Sequence, residues 1–343
     1  MMHDCKMGAT PKDRRGLHRQ QGVTLVELMI ALAIGLLVTV AMLKVYVDAS
    51  RMYRFNEGLA RVQENGRFAL EFIRRDVRVA GFWGCNSDTV PWPGIKTDSN
   101  AYIDVDAGDI AGTSDDGLNS SDSLTFRSAT GSGALVTADM SGTDGTITVD
   151  SASALATGTA ALISDCENGD LFQITDISGK VLVHAAGTNA NKLPDLQKAY
   201  TAGARVYNAR EITFSIQNDP SSGAPTLYRE VIGEGAQPLV EGIENMQILY
   251  GEDTDADADG ANGDGTANRY VDFGVDDDFD PDRIVSVRIS LLARSINNNL
   301  TTEPSPYIYP PWANPPISTT PDKDDKHLRK IFTTTITLRN KAD

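Results

Sequence analysis

The stretch "GVTLVELMIALAIGLLVTVAML", residues 22–43, is almost wholly apolar yet contains Glu27. Its 21 positions from Val23 to Leu43 would span about 31 Å as a helix, enough to cross a hydrocarbon core. A charged side chain inside such a span costs on the order of 2.5–3.5 kcal/mol on insertion scales. A simple anchor has no use for it. A helix that packs beside other subunits could use it to pair with a positive group on a neighbour, fixing docking and register. A cut after Gly22 would create such a group, the new amine of Val23, one helical turn from Glu27.

The flanks support a membrane span. Residues 1–22 carry Lys6, Lys12, Arg14, Arg15 and Arg19 against Asp4 and Asp13, a local +3. The positive-inside rule keeps this end cytoplasmic and sends the rest outward. A secretory signal peptide would have an apolar region of about 7–15 residues and a small-residue cleavage site. Here the run is longer and leads through Lys44 into more helix. Met52, Phe55, Leu59, Val62, Ala69, Ile73 and Val77 recur at threes and fours with one gap of seven, and charged residues fill the other faces. No proline falls between residues 12 and 90, and Gly81 is a natural stop. The pattern predicts one helix from about residue 24 to 80, roughly 85 Å long, whose second half needs a domain to cover its stripe.

The chain as a whole has 343 residues, 41% hydrophobic, and a net charge of −16, so the residues after the +3 leader carry −19. The length suffices for one large or two ordinary domains. So acidic a body repels phosphates, which argues against nucleic acid as a partner. The three cysteines, Cys5, Cys85 and Cys166, form no CxxC pair, against zinc-ribbon and thioredoxin readings. Removal of the leader leaves two, either one disulfide or two buried thiols. A bridge across 81 residues would stabilise the fold by about 4 kcal/mol in the chain-entropy model, and an exported location favours it.

The motif Gly, apolar, Thr, two apolar residues, Glu and a long apolar run, after a short basic leader, resembles the class III signal of type IV prepilins and pseudopilins. The resemblance implies that a prepilin peptidase cuts between Gly22 and Val23 and N-methylates Val23. It also implies that Glu27 recruits and registers subunits during assembly. Val23 stands where major pilins usually have Phe, and the helix lacks the proline that kinks many of them; both point to a minor subunit.

Beyond residue 85 the chain is rich in short β-prone runs bounded by Gly, Ser and Asp. These include 123–129, 145–151, 159–165 and 170–177. Runs 211–217 and 226–232 flank a turn and read as a hairpin, and 243–251 gives another strand. "RIVSVRISLLARS" (283–295) and "KIFTTTITLRN" (330–340) alternate most clearly and are expected to pair antiparallel. Between them residues 296–327 hold seven prolines and should be largely irregular. The expected fold is α+β: a long N-terminal α-helix, half membrane and half amphipathic, packed on an antiparallel β-sheet domain. The expected layout is a cleaved leader 1–22, a helix 23–80 with its membrane part at 23–43, and a β-rich extracytoplasmic domain 81–343. Loops 251–282 and 296–327 should be irregular.

"NGRFALEFIRRDVRVAGFWGC" (65–85), "ISDCENGDLFQITDI" (163–177), "VEGIENMQILYGEDTD" (240–255), 283–295 and the closing "LRN" resemble the PilW family of large minor pilins. Cys85 and Cys166 lie inside two of those stretches, which implies that they pair. The family implies a structural minor pilin in initiation of type IV pilus assembly, near the tip, with links to adhesion and twitching motility. The partners are then the prepilin peptidase, other minor pilins, the major pilin, a large tip adhesin and the inner membrane. The rival readings are a pseudopilin of a type II secretion system and a membrane-anchored binding protein that never polymerises.

Two acidic runs remain. Asp255, Asp257 and Asp259 followed by Gly260 open like a calcium loop, with Asp253 or Asp264 and backbone carbonyls to complete the shell. Thr266 stands where an EF-hand loop ends in Glu, so the competing reading is a solvated Gly-rich loop. Asp276, Asp277, Asp278, Asp280 and Asp282 read as a solvated turn. Only His184 and His327 follow the leader, and no HExxH, P-loop or GxSxG occurs, so no enzyme is expected. Tyr307, Tyr309 and Trp312 sit among prolines and serve either as a contact surface or as packing for their own loop.

Overall fold

A computed structural model describes residues 22–85, 90–184, 190–192, 196–255, 263–276 and 278–341. Leu25–Val77 form one helix, and the chain divides into two compact units after Tyr53. In the first unit every described residue is exposed. In the second, the helix turns Val62, Gly66, Ala69, Ile73 and Val77 inward. Gly66 fills the gap of seven in the apolar stripe and restores a three–four spacing. A Cβ there would stand 2.2 Å from the Phe332 ring, so the glycine marks where the helix meets a strand most closely. Phe55 and Leu59 are half-buried and Met52 is exposed, so the buried stripe starts later than the spacing predicts. The helix ends at Val77, and Gly81 follows at φ +73°. There a side chain would run into the Asp109 carboxylate at 2.9 Å.

Two sheets cover this half of the helix. One has four antiparallel strands in the order Arg269–Val271, Ile243–Glu252, Ile284–Arg294, Arg329–Thr337. The other has eight strands built around Arg205–Asn218. That strand pairs along one edge with Ser123–Leu135, and along the other with Pro225–Val231 and Ala160–Ser164. Ile73 and Val77 of the helix share one core with Leu124, Phe126 and Phe214 of the large sheet and Ile248, Ile289 and Ile336 of the small one. This joint burial fixes the helix against both sheets. Asp76 adds an ion pair to Arg229 at 2.7 Å.

The stretch between Val136 and Val206 closes a second core of its own around Ile147, Phe172, Leu182 and Tyr200. A small sheet of Ile147–Thr148, Val181–Val183 and Asp176–Ser178 forms part of it. A third core gathers Trp83, Ile95, Leu162 and Tyr207 where the helix exit meets the large sheet.

Several expectations are corrected. The run 170–177 is two strands, Gly169–Gln173 and Asp176–Ser178, in different sheets. Of 145–151 only Ile147–Thr148 is strand, with a single bridge from Val149 to Val136. Arg269–Val271 lies inside the segment expected to be irregular, and Tyr307–Ile308 pairs with Ser318–Thr319 inside the proline-rich one. The pair Trp92–Pro93 with Gly169–Gln173 is parallel, an exception to the antiparallel rule. The predicted pairing of 283–295 with 330–340 is present over Ile284–Arg294 and Arg329–Thr337. Ile284–Arg294, however, is buried on both faces rather than alternating. Its outer face lies under the proline-rich segment, where the Tyr309 hydroxyl donates to the Ser290 carbonyl at 2.6 Å.

Candidate functional site

The first turn of the helix is built by a local cap. The Thr24 hydroxyl accepts from the Glu27 amide at 3.2 Å, and the Leu28 amide donates to the Thr24 carbonyl at 3.0 Å. Thr24-x-x-Glu27 is the sequence of a capping box, a signal that can be read directly and that the reading of Glu27 as an assembly device overlooks. Val23 is 70% exposed, and nothing in the structure crowds Gly22. Further along, the Thr39 hydroxyl donates to the Gly35 carbonyl at 2.8 Å, which hides a polar group within the apolar run. The helix contains a window long and apolar enough to cross a membrane, with none of it buried in the structure.

Cys85 and Cys166 are joined by a disulfide with Cα atoms 4.9 Å apart. Cys166 sits at φ +74° in the tight connection between Ala160–Ser164 and Gly169–Gln173. Asp165 shapes that connection by accepting from the amides of Glu167 and Asn168. Its other oxygen takes Lys198 Nζ at 2.6 Å. Burial opposes its charge, but the bonds from Lys198 and the two amides outweigh burial and hold the carboxyl below the usual carboxylate range. The bridge ties the helix exit to the large sheet and the edge of the second core.

The acidic loop is closed at its neck. Asp253, buried, accepts from the amides of Asp255 at 3.1 Å and Gly265 at 2.8 Å. Asp264 accepts from Thr266, and Asp255 from the Asn268 side chain. These carboxylates are engaged with N–H donors. Among the described residues no group of three metal-ligating side chains converges. Asp257 and Asp259 lie outside the described residues, so calcium stays an expectation of the sequence alone. Of the second run, Asp277 also lies outside them. Asp278 and Asp280 are more than a solvated turn. Arg269 joins buried Glu252 at 2.6 Å to Asp278 at 2.7 Å, and the Asp280 amide donates to Glu252 at 2.8 Å.

The remaining sequence candidates are structural or divided. His184 is buried with Nε2 2.6 Å from the Gly145 carbonyl, and His327 Nδ1 lies 2.7 Å from the Ser295 carbonyl. Tyr309 is packing for its own segment, and Tyr307 lies beneath the Arg329 guanidinium at 5.3 Å. Trp312 is half-buried. A junction that sequence reading missed is Arg329, which grips Glu244 through two nitrogens at 2.6 and 2.9 Å and Asp325 at 2.6 Å.

Comparison with known proteins bears on the two ends of the chain. Residues 17–43 match the prokaryotic N-terminal methylation motif. Residues 213–340 match the PilW family, described as type IV pilus-assembly protein W. Curated proteins give no match. Among solved structures, a type IV-like pilin from Thermus thermophilus is 10% identical, with 82% of this chain and 99% of that one covered, at a TM-score of 0.33. That likeness is too distant to carry an argument. The methylation motif and the apolar helix fit a single-pass membrane anchor. The chain thus carries a prepilin methylation motif over residues 17–43 and is similar to the PilW family over residues 213–340, with one long helix leading into a multi-strand sheet domain.

Proposed function

We propose that this chain is a structural subunit that helps initiate type IV pilus assembly, near the pilus tip with other minor pilins. The observation that carries the reading is the unburied helix from Leu25 onward, apolar as far as Leu43, behind a prepilin signal. It is too apolar for water and leaves its whole surface to lipid and then to neighbouring subunits. Prepilin peptidase cuts after Gly22 and methylates the amine of Val23. That amine, on one subunit, is the positive group that Glu27 of the next would meet. The basic leader keeps the N-terminus cytoplasmic and places the sheet domain outside. A large domain after the helix suits a position occupied once at the tip better than one repeated along the shaft. The match over residues 213–340 favours the pilus over a secretion pseudopilus.

The test is complementation of a deletion strain in the native host. Wild type restores pili, and mass spectrometry finds Val23, N-methylated, as the mature N-terminus. Glu27→Ala inserts and is cut normally but restores few pili. Full piliation with Glu27→Ala, or a mature chain that begins at Met1, refutes the assembly role. A protein-secretion defect with normal pili would move the function to a pseudopilus.

A further inference from the structure

The part of the second unit between Asp115 and Thr319 contains a cleft of about 810 Å³. That is within the range of a small-ligand site. Its walls come from the Asp115–Ser120 loop, the strand Ile243–Glu252, Asp272 and the proline-rich segment. No Lys, Arg or His lines it. Trp312 stands on the wall with its indole in no ring stack or cation contact among the described residues.

The polar groups on the wall are unequal in kind. Three of the four side-chain amide nitrogens on the wall are spent inside the protein: that of Asn119 donates to the Glu244 carbonyl at 3.0 Å, that of Asn245 to the Asn119 carbonyl at 2.7 Å and that of Gln247 to the Ser120 carbonyl at 2.7 Å. The charged groups that face the cleft are all carboxylates. Asp115 takes only a long bond at 3.3 Å from Gln247 on its side chain. Asp272 makes no hydrogen bond or ion pair among the described residues and is only half-buried. A phosphate or carboxylate would be repelled by such a wall. A metal ion would need carboxylates that converge, and among the described residues none do. A sugar meets the requirement. Each hydroxyl can donate to a carboxylate, and the C–H face of the ring lies flat on an indole.

We propose that this cleft binds an oligosaccharide that is neutral or bears amines, with a sugar face on Trp312 and hydroxyls donating to Asp115 and Asp272. The proposal does not rest on the pilus reading, and the two can fail separately.

The test uses the full chain in a zwitterionic, sugar-free detergent. Binding is followed by saturation-transfer NMR and calorimetry with cellotetraose, mannotetraose, galactotetraose, a glucosamine tetramer and a galacturonic acid tetramer. At least one neutral tetramer should bind saturably, the glucosamine tetramer should compete for the same site, and the acidic tetramer should not bind. Trp312→Ala should weaken binding by about tenfold or more, and Trp312→Phe by less. Asp272→Asn should weaken the amine-bearing tetramer more than the neutral one. No saturable binding by any neutral or amine-bearing tetramer overturns the proposal, as does equal binding of the acidic one. Full affinity in Trp312→Ala overturns it too. Should Trp312→Ala fail to fold, unchanged affinity in both Trp312→Phe and Asp272→Asn has the same meaning.

Discussion

Asp122 is 3% exposed and receives the Ile248 amide on one oxygen at 2.6 Å and the Asp115 amide on the other at 2.9 Å. Burial, with smaller help from the charges of Asp115 and Asp272, overrides these bonds and pushes its carboxyl up to about 7. A carboxyl that holds its proton more tightly folded than unfolded contributes stability in full below the unfolded pKa, near 4. That contribution is lost as pH rises toward 7. Asp165, Asp278 and Asp325 are held low and act in the opposite sense, so the readout must isolate one residue. Asp122→Asn cannot ionise. Below about pH 4 it should be less stable than wild type, because an amide nitrogen now faces a backbone donor. It should also lose part of the destabilisation that wild type shows between pH 5 and pH 8, on the order of a few kcal/mol. Equal melting shifts in the two proteins between those pH values would refute the assignment. At the same scale, Thr24→Ala removes the cap on the apolar helix. A helix-start loss of about 1 kcal/mol is expected, read as earlier amide exchange at residues 25–28 in micelles with the sheet domain unchanged.

The helix was legible because its signal is local: a 3.6-residue period, no proline, and Gly81 at the end. Its one irregularity, the gap between Val62 and Ala69, is where the period is carried by a residue chosen for its lack of a side chain. Gly66→Ala should therefore destabilise even though Ala gains about 1 kcal/mol of helix propensity. The added methyl meets the Phe332 ring, and overpacking costs about 1–3 kcal/mol. Gly66→Ala with Phe332→Leu should recover part of the loss. A stabilised Gly66→Ala single variant by denaturant unfolding would show that the helix and strand have slack between them. Strands of two to five residues were less legible, since their partners are set by distant segments. Ile284–Arg294 was paired correctly but read as one-sided, because nothing local announces that the proline-rich segment folds over its second face. Arg269–Val271 was missed inside an acid-rich run, where composition speaks for solvent and the Arg269–Glu252 pair, 17 residues apart, speaks for a strand.

At the scale of the molecule, the sites separate by how far apart their parts lie in the chain. Gly22, Val23, Thr24 and Glu27 fall within six residues, and their reading needed no fold. The cleft at Trp312 draws on four distant segments and could not be seen before they met. The disulfide lies between these cases: sequence left two cysteines, and the fold shows what joining them does. It closes 81 residues that include four strands of the large sheet, Trp92–Pro93, Ile110–Thr113, Ser123–Leu135 and Ala160–Ser164, and most of the third core. Seven of the eleven buried residues of that core, Ile95 and Leu162 among them, lie within the closed loop, and the core would lose its covalent frame on reduction. The second core and the helix–sheet core keep their apolar contacts. Reduction, or the double variant Cys85→Ser with Cys166→Ser, should therefore weaken the sheet domain without abolishing its β content. The chain-entropy figure of about 4 kcal/mol is an upper value. At about 2–4 °C per kcal/mol for a domain of this size it corresponds to a melting shift on the order of 5–15 °C. Hydrogen exchange should rise first at residues 90–105 and 160–173, and only later along Ile243–Glu252 and Ile284–Arg294. Simultaneous loss of protection in both regions would mean that the three cores unfold as one and that the bridge stabilises them equally.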